Sequence, residues 1–164
     1  MKSKNDKTKC DKTNAMRLLD QAKLPYEMHI YGDGTALSGV EVANLLNEDV
    51  KKVFKTLVTV GKSGNHYVFM VPVADELDLK KAAKSVGEKD ISMIKSKDLL
   101  NLTGYIHGGC SPIGMKKFFT THIHITANEF DTIIFSGGRI GLQIEMSYED
   151  LQKLIKINTV DLIV

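Results

Sequence analysis

Cysteine is scarce in this chain. Cys10 and Cys110 are the only two in 164 residues, too few for a disulfide-stapled scaffold and too far apart for a metal knuckle. A reducing, cytoplasmic setting is the expectation that follows. One-sided charge is missing too: 22 Lys and Arg stand against 20 Asp and Glu, so neither a nucleic-acid coat nor a membrane-surface protein is indicated by total charge. No apolar run approaches membrane-spanning length. The basic start MKSKNDKTKCDK leads into the amphipathic NAMRLLDQA rather than an apolar leader core, so neither secretion nor membrane insertion is expected. The phosphate-binding spacings G-x-x-x-x-G-K-[ST] and G-x-G-x-x-G are absent, which disfavours nucleoside triphosphate binding, and no internal repeat is visible.

What is present suits one compact domain. Residues 1–12 are polar and lack apolar periodicity, which predicts a flexible basic arm; its lysines add at most weak attraction to a polyanion. From 13 to 164 helix and strand periods alternate. Ala15, Met16, Leu19 and Ala22 mark a helical face behind a Thr13 or Asn14 cap, and Tyr26 to Tyr31 reads as a short strand. Ser38-Gly39-Val40-Glu41 has the form of a capping box, with Val42, Leu45 and Leu46 as the apolar stripe of a second helix.

VFKTLVTV (53–60) and His66 to Val73 then form a hairpin across a turn at Gly61 to Asn65. Asp78 to Val86 is helical and closed by Gly87. A short run Ile91 to Ile94, a small helix near Leu99 to Leu102, strands at His122 to Thr126, Asp131 to Phe135 and Leu142 to Met146, and a helix starting at Ser147 complete the pattern. The fold class is therefore mixed α/β (α+β): a single domain whose sheet contains hairpins and is not a pure βαβ winding.

Lys55 is the odd residue of VFKTLVTV. Alternation puts it on one face with Val53, Leu57 and Thr59, and Phe54, Thr56, Val58 and Val60 on the other, so it has apolar company either way. Its stem could pack while its head snorkels from an edge strand. Alternatively it points into a cleft and offers a fixed cation to a phosphate, hydroxyl or carbonyl. Periodicity leaves both open.

Two loops carry more than half of the 13 glycines: TGYIHGGCSPIG (103–114) holds four and SGGRIG (136–141) three. Such loops can turn several backbone N–H groups toward one anion, although tight turns are the commoner use. His122 and His124 share a strand face, but no third ligand has suitable spacing and the flanking Ile123 and Ile125 make them the polar face of an amphipathic strand; no metal is expected. Cys110 could be a nucleophile if a histidine such as His107 stood beside it.

In order and spacing, KTNAMRLLDQAKLPYEMHIY, VFKTL, MVPVADELDLKKAAK, TGYIHGGCSPIGMKK and SGGRIGLQIE resemble the bacterial YbaK/EbsC family of prolyl-tRNA editing proteins, free-standing Cys-tRNA(Pro) deacylases related to an editing domain inserted in some prolyl-tRNA synthetases. The likeness spans nearly all of the chain from Lys12 on. It implies that family's editing-domain fold, a curved mixed β-sheet flanked by helices, and an activity that removes cysteine from mischarged tRNA(Pro), with Cys-tRNA(Cys) as a related substrate. A pocket separates the near-isosteric cysteine and proline poorly, which is why a second, destructive site is useful. By motif, Lys55 takes the family's essential lysine, Tyr31 the tyrosine closing the first strand, Gly108 the first glycine of GG-x-SP beside Gly109, and Ser136 the serine of SGG beside Gly137. The chain departs from the family at Gln143, where a relative has aspartate, so Gln143 inherits a place in the binding site without a carboxylate role. Cys110 departs as well, at a position often aliphatic.

The resemblance further implies a mechanism in which the substrate's own cysteine thiolate attacks the ester, cyclises to a thiolactone and expels the tRNA. Lys55 and the glycine-loop amides would stabilise charge while Ser136 and Tyr31 orient the ester. No cofactor is called for. The implied partners are the 3′ end of an aminoacyl-tRNA and prolyl-tRNA synthetase, with Lys80, Lys81, Lys84, Lys116, Lys117 and Arg139 as phosphate contacts or merely a solvated surface. Two alternatives stay open: a deacylase for alanine or another amino acid, and a module that binds tRNA or synthetase without chemistry.

Overall fold

The structure, a computed structural model, describes residues 12–32, 35 and 37–164. The expected arm falls outside these residues except for Lys12, whose ammonium pairs with Asp20 on the first helix.

Helix α1 (Asn14–Ala22) starts where Thr13 accepts the Met16 amide at 3.2 Å. It buries Ala15, Met16 and Leu19, the stripe set by its 3.6-residue period. Strand β1 (Glu27–Ile30) follows, then α2 (Gly39–Leu45). The capping box at α2 is complete: Ser38 N–H donates to Glu41 Oε1 at 2.8 Å, and Glu41 N–H to Ser38 Oγ at 3.1 Å. A 3-10 turn at Val50–Lys52 leads into the hairpin β2 (Phe54–Gly61) and β3 (His66–Pro72). Then come α3 (Leu79–Val86), β4 (Ile91–Met93), α4 (Ser96–Thr103), β5 (Thr120–His124), β6 (Ile133–Ser136), β7 (Leu142–Met146), α5 (Tyr148–Leu154) and β8 (Ile157–Val160). Asp78 caps α3 through the Lys80 and Lys81 amides, and Gly87 closes it at φ 74°, the left-handed C′ position that glycine takes without penalty.

The mixed sheet is divided in two. One part has five strands in the order β4-β2-β3-β5-β8, the other three in the order β1-β7-β6. In the larger part β2 pairs antiparallel with β3 and β4, while β3-β5 and β5-β8 are parallel. An isolated parallel bridge, Val53 to Ile134, joins the parts. The main core, with Met16, Leu19, Phe54, Met70, Phe135 and Ile144, is closed by the apolar face of the smaller sheet and α1.

Two elements differ from expectation. Residues after His124 leave the strand for a 3-10 turn, Ile125–Glu129, and α5 is followed by β8, which the pattern did not announce. His122 and His124 are no polar face either. Both are buried because α3 and the segment after β8 pack over their face of the sheet, His122 Nδ1 against Ser85 Oγ at 3.1 Å and His124 Nδ1 accepting the Leu162 amide at 3.1 Å.

Candidate active site

The two parts of the sheet separate along one edge of β2. Val53 O accepts from Val73 N–H and Gly61 N–H donates to Asn65 O, both at 2.8 Å, so the odd-numbered residues of β2 turn their backbone groups toward β3. The even-numbered ones turn theirs the other way. Strand β4 pairs with that outer edge only from Thr59, with Ile94 N–H reaching Val58 O at 3.3 Å, and β6, though it packs beside β2, bridges to it only at Val53, just before the strand begins. Among the described residues no strand pairs with the edge between.

A cleft of about 550 Å³ fills this gap, a volume typical of small-ligand sites. Its lining gathers Lys55, Tyr31, Gly108 and Ser136 from four separate segments, along with Ser38, Val40 and Val42 of the α2 region, Thr56 and Val58 of β2, and Ile94, Leu99, His107 and Cys110. Lys55 is half-buried and, among the described residues, its ammonium has no hydrogen-bond or ion-pair partner. Its side chain leaves β2 on the face that carries Val53, which packs with Ala43 of α2. Ser136 continues β6 past the bridge and shares a face with Gln143 and Ile134 through its register on β7; its Oγ accepts the Gly138 amide at 3.2 Å. Tyr31 is fixed by its N–H to Gly141 O at 2.9 Å.

The neighbouring glycines have other tasks, which corrects the expected donor role of Gly109. Its N–H is used by Ile106 O at 2.9 Å, and a Cβ there would lie 2.8 Å from Arg139 Cα, so Gly109 lets the two glycine loops touch backbone to backbone. Gly108, at φ 87°, is the residue that borders the cleft. Gly137 is buried against Leu142 and donates to Leu142 O at 2.9 Å, outside the lining. Gln143 also stands behind the cleft rather than in it. In the amide orientation that satisfies both its ends, its nitrogen donates to the two Glu48 carboxylate oxygens at 2.7 and 3.2 Å.

Glu48 belongs to a polar network on the outer face of the small sheet. Burial pushes its carboxyl up, partly offset by Gln143. Burial also works against the Glu145 carboxylate, yet hydrogen bonds from Thr132, His29 and Lys52 outweigh it and hold the carboxyl at about 2. Glu27, His29 and Glu145 bring three possible metal ligands within 4.8 Å of one another, but Lys52 Nζ already sits 3.0 Å from Glu145. None of the three lines the cleft.

Cys110 borders the cleft but is built as a core residue. It is packed with Val58, Leu99, Tyr105 and Phe119, and burial pushes its thiol up to about 12, the opposite of what a thiolate nucleophile needs. His107 lines the same cleft from an exposed position. Of the expected phosphate contacts, Lys81 is engaged with Asp161 and Ile163 O at 3.0 and 2.8 Å, Lys117 lies over the Phe119 ring at 5.9 Å, and Lys80, Lys84 and Lys116 are exposed. Thr56 and the open edge of β2 were not singled out by sequence, because nothing local says which edge of a strand stays unpaired.

Residues 35–154, containing most of this lining, match the aminoacyl-tRNA editing domain. The chain belongs to that family. It is 46% identical over 144 residues to EbsC of Enterococcus faecalis, whose name provisionally makes it a Cys-tRNA(Pro)/Cys-tRNA(Cys) deacylase; the match covers 87% of this chain and 88% of that protein. A proline–tRNA ligase of Fervidobacterium nodosum matches this editing domain at 27% identity over 115 residues, which span 62% of this chain and 20% of the ligase. A crystal structure described provisionally as a trans-editing enzyme for prolyl tRNA synthetase has the same fold, with a TM-score of 0.75, 24% identity, and coverage of 85% of this chain and 87% of that one. Among the described residues of the editing domain no helix is long and apolar enough to cross a membrane.

Proposed function

We propose that the chain is an editing deacylase that removes cysteine from mischarged Cys-tRNA(Pro), acting also on Cys-tRNA(Cys), with Lys55 as its catalytic cation. The observation that carries the reading is the convergence of Lys55, Tyr31, Gly108 and Ser136 on one cleft at the open edge of β2.

The substrate is an ester between the amino acid and the terminal ribose. Its carbonyl oxygen gains negative charge as a nucleophile adds, and the ribose oxygen gains it as the ester breaks. An ammonium without a carboxylate partner among the described residues suits either charge, in a cleft whose remaining walls are largely apolar. The nucleophile need not come from the protein. The substrate's cysteine thiolate forms the new C–S bond to its own carbonyl carbon, the C–O bond to the ribose breaks, and the ribose oxygen departs with a proton; the cleft supplies orientation and field. Ser136 and Tyr31 hold the ester, and Gly108 lets its loop approach. The raised Cys110 thiol supports this route over a protein thiolate. Exposed Lys80, Lys84 and Lys116 offer salt-sensitive phosphate contacts, and partnership with prolyl-tRNA synthetase would deliver the mischarged product.

The test is deacylation of Cys-tRNA(Pro), Ala-tRNA(Pro) and Pro-tRNA(Pro) by the wild-type chain and by Lys55→Ala. Cysteine should leave, proline should stay, and the folded variant should lose on the order of 100- to 1,000-fold in rate. A thiol-methylated substrate separates the chemistries: cyclisation stops when the sulfur is blocked, whereas attack by water continues. A Lys55→Ala variant that edits like wild type would sink the assignment.

A further inference from the structure

Among the described residues, three side-chain hydroxyls are buried without a hydrogen-bond partner: those of Thr56, Thr126 and Tyr148. Of these residues Thr56 alone borders the cleft. The fully buried threonines are satisfied within the fold: Thr59 Oγ1 donates to Tyr67 O at 2.9 Å, Thr103 Oγ1 to Leu99 O at 2.8 Å and Thr121 Oγ1 to Phe119 O at 2.8 Å. Thr56 sits on β2 between Phe54 of the main core and Val58 of a second apolar cluster, opposite the fully buried Met70. Valine would fill that place at no polar cost, whereas an unmatched hydroxyl there is destabilising.

The backbone of Thr56 is exceptional too. As an even-numbered residue of β2 it directs its N–H and C=O to the outer edge, where among the described residues neither β4 nor β6 forms a ladder pair with it. One residue thus holds two acceptors and two donors in reserve at an otherwise apolar stretch of the cleft, one position from Lys55. A single 120° step about χ1 exchanges the hydroxyl with another Cβ substituent and can bring it out of the seam toward the cleft.

We propose that Thr56 is a further substrate-binding residue, whose carbonyl and hydroxyl oxygens accept hydrogen bonds from the α-amino group of the aminoacyl ester while Lys55 faces the ester carbonyl. This rests on the editing reading above. The α-amine is the one multiple donor of an aminoacyl ester, and two acceptors with no cation of their own match it. Specificity for an α-amino acyl group, as against any thiol-bearing ester, then comes from this edge.

The experiment compares wild type, Thr56→Val and Thr56→Ser on Cys-tRNA(Pro) and on 3-mercaptopropionyl-tRNA(Pro), which keeps the thiol and the ester but lacks the amine. Thr56→Val should lose on the order of tenfold in kcat/KM on the cysteinyl substrate, Thr56→Ser should stay within about threefold, and on the amine-free substrate Thr56→Val should match wild type. Because the free protein leaves the hydroxyl unmatched, Thr56→Val should also raise Tm by about 2–4 °C. Equal losses on both substrates, or a lowered Tm, overturn the proposal. If wild type edits, Lys55→Ala does not and Thr56→Val edits normally, the Thr56 proposal fails alone. If wild type edits nothing, the editing reading fails with it.

Discussion

Gln143 presents its amide nitrogen to both oxygens of Glu48, at 2.7 and 3.2 Å, behind the cleft and not in it. The side chain is buried and the Glu48 carboxyl is already pushed up by burial, so the contact is what keeps a half-buried carboxylate acceptable. Gln143→Asp sets two carboxylates against each other. It should lower Tm by several degrees at pH 8, less at pH 5 where one of them takes a proton, and Glu48→Gln in the same chain should restore most of the loss. Melting curves of the two single variants and the double variant decide it. An unchanged Tm for Gln143→Asp would mean the contact is not made.

Gly109 is where the two glycine-rich loops meet. An added Cβ would lie 2.8 Å from Arg139 Cα, 2.9 Å from Arg139 C and 3.0 Å from Ile140 N, all backbone atoms that a side-chain rotation cannot move. Gly109→Ala must therefore separate the loops, at a cost of about 1–3 kcal/mol. Gly108 and Ser136 sit on opposite loops at the cleft, so deacylation should fall together with Tm. A variant that melts lower but edits at the wild-type rate would show the loops to be independent.

How far the sequence goes toward this site can be judged from particular residues. Lys55 was conspicuous because a charge in a β-branched run breaks its own periodicity, and the Ser38–Glu41 cap was legible because both partners lie within one turn. The gap that Lys55 borders was not legible. It depends on β4 pairing only from Thr59 and on β6 bridging only at Val53, both products of distant segments. The same limit misled the alternation of His122 and His124, which looks half-exposed until α3 and the segment after β8 pack over that face. Strand β8 itself is four residues at a sheet edge, too short to impose a pattern. The Gly109 amide is engaged by Ile106 O, and the composition of a loop does not say which of its amides are engaged in this way.

Cys110 should be inert in the folded protein. Burial raises its thiol to about 12, so almost none is thiolate at neutral pH. In a Cys10→Ser background, iodoacetamide at pH 7.5 should leave the native chain unlabelled and label it on unfolding, and Cys110→Ala should edit within about threefold of wild type. Rapid native labelling together with an inactive Cys110→Ala would reinstate a protein nucleophile.

Stability should depend on pH through the paired strand histidines. Burial lowers both His122 and His124 from 6.5, the latter against the opposing pull of Asp161, Asp75 and Glu129 and with the help of Lys81. Between the lowered folded value and the unfolded one, the unfolded chain binds the extra proton, so stability is complete above about pH 6.5 and is lost as pH falls through the folded values. Tm should decline from pH 7.5 to 5. His124→Asn keeps an acceptor for the Leu162 amide without the titration and should flatten part of that slope; an identical slope in the variant would remove His124 from the account.

Ser38 belongs both to the cap of α2 and to the wall of the cleft, and two substitutions separate those roles. Alanine removes the oxygen that accepts the Glu41 amide, while the Ser38 amide keeps its bond to Glu41. That loss should cost about 1 kcal/mol, a fall of about 2–4 °C in Tm, with deacylation nearly unchanged. Aspartate is as good an N-cap as serine and also favours the positive end of the helix, so Ser38→Asp should melt close to wild type. It nevertheless places a carboxylate in the cleft that Lys55 lines, offering the ammonium a permanent partner in competition with the charge that develops on the ester. Deacylation by Ser38→Asp should therefore fall on the order of tenfold or more while its fold is intact. If Ser38→Ala is the inactive variant and Ser38→Asp the active one, the cap, and not the charge balance around Lys55, is what the cleft requires of this residue.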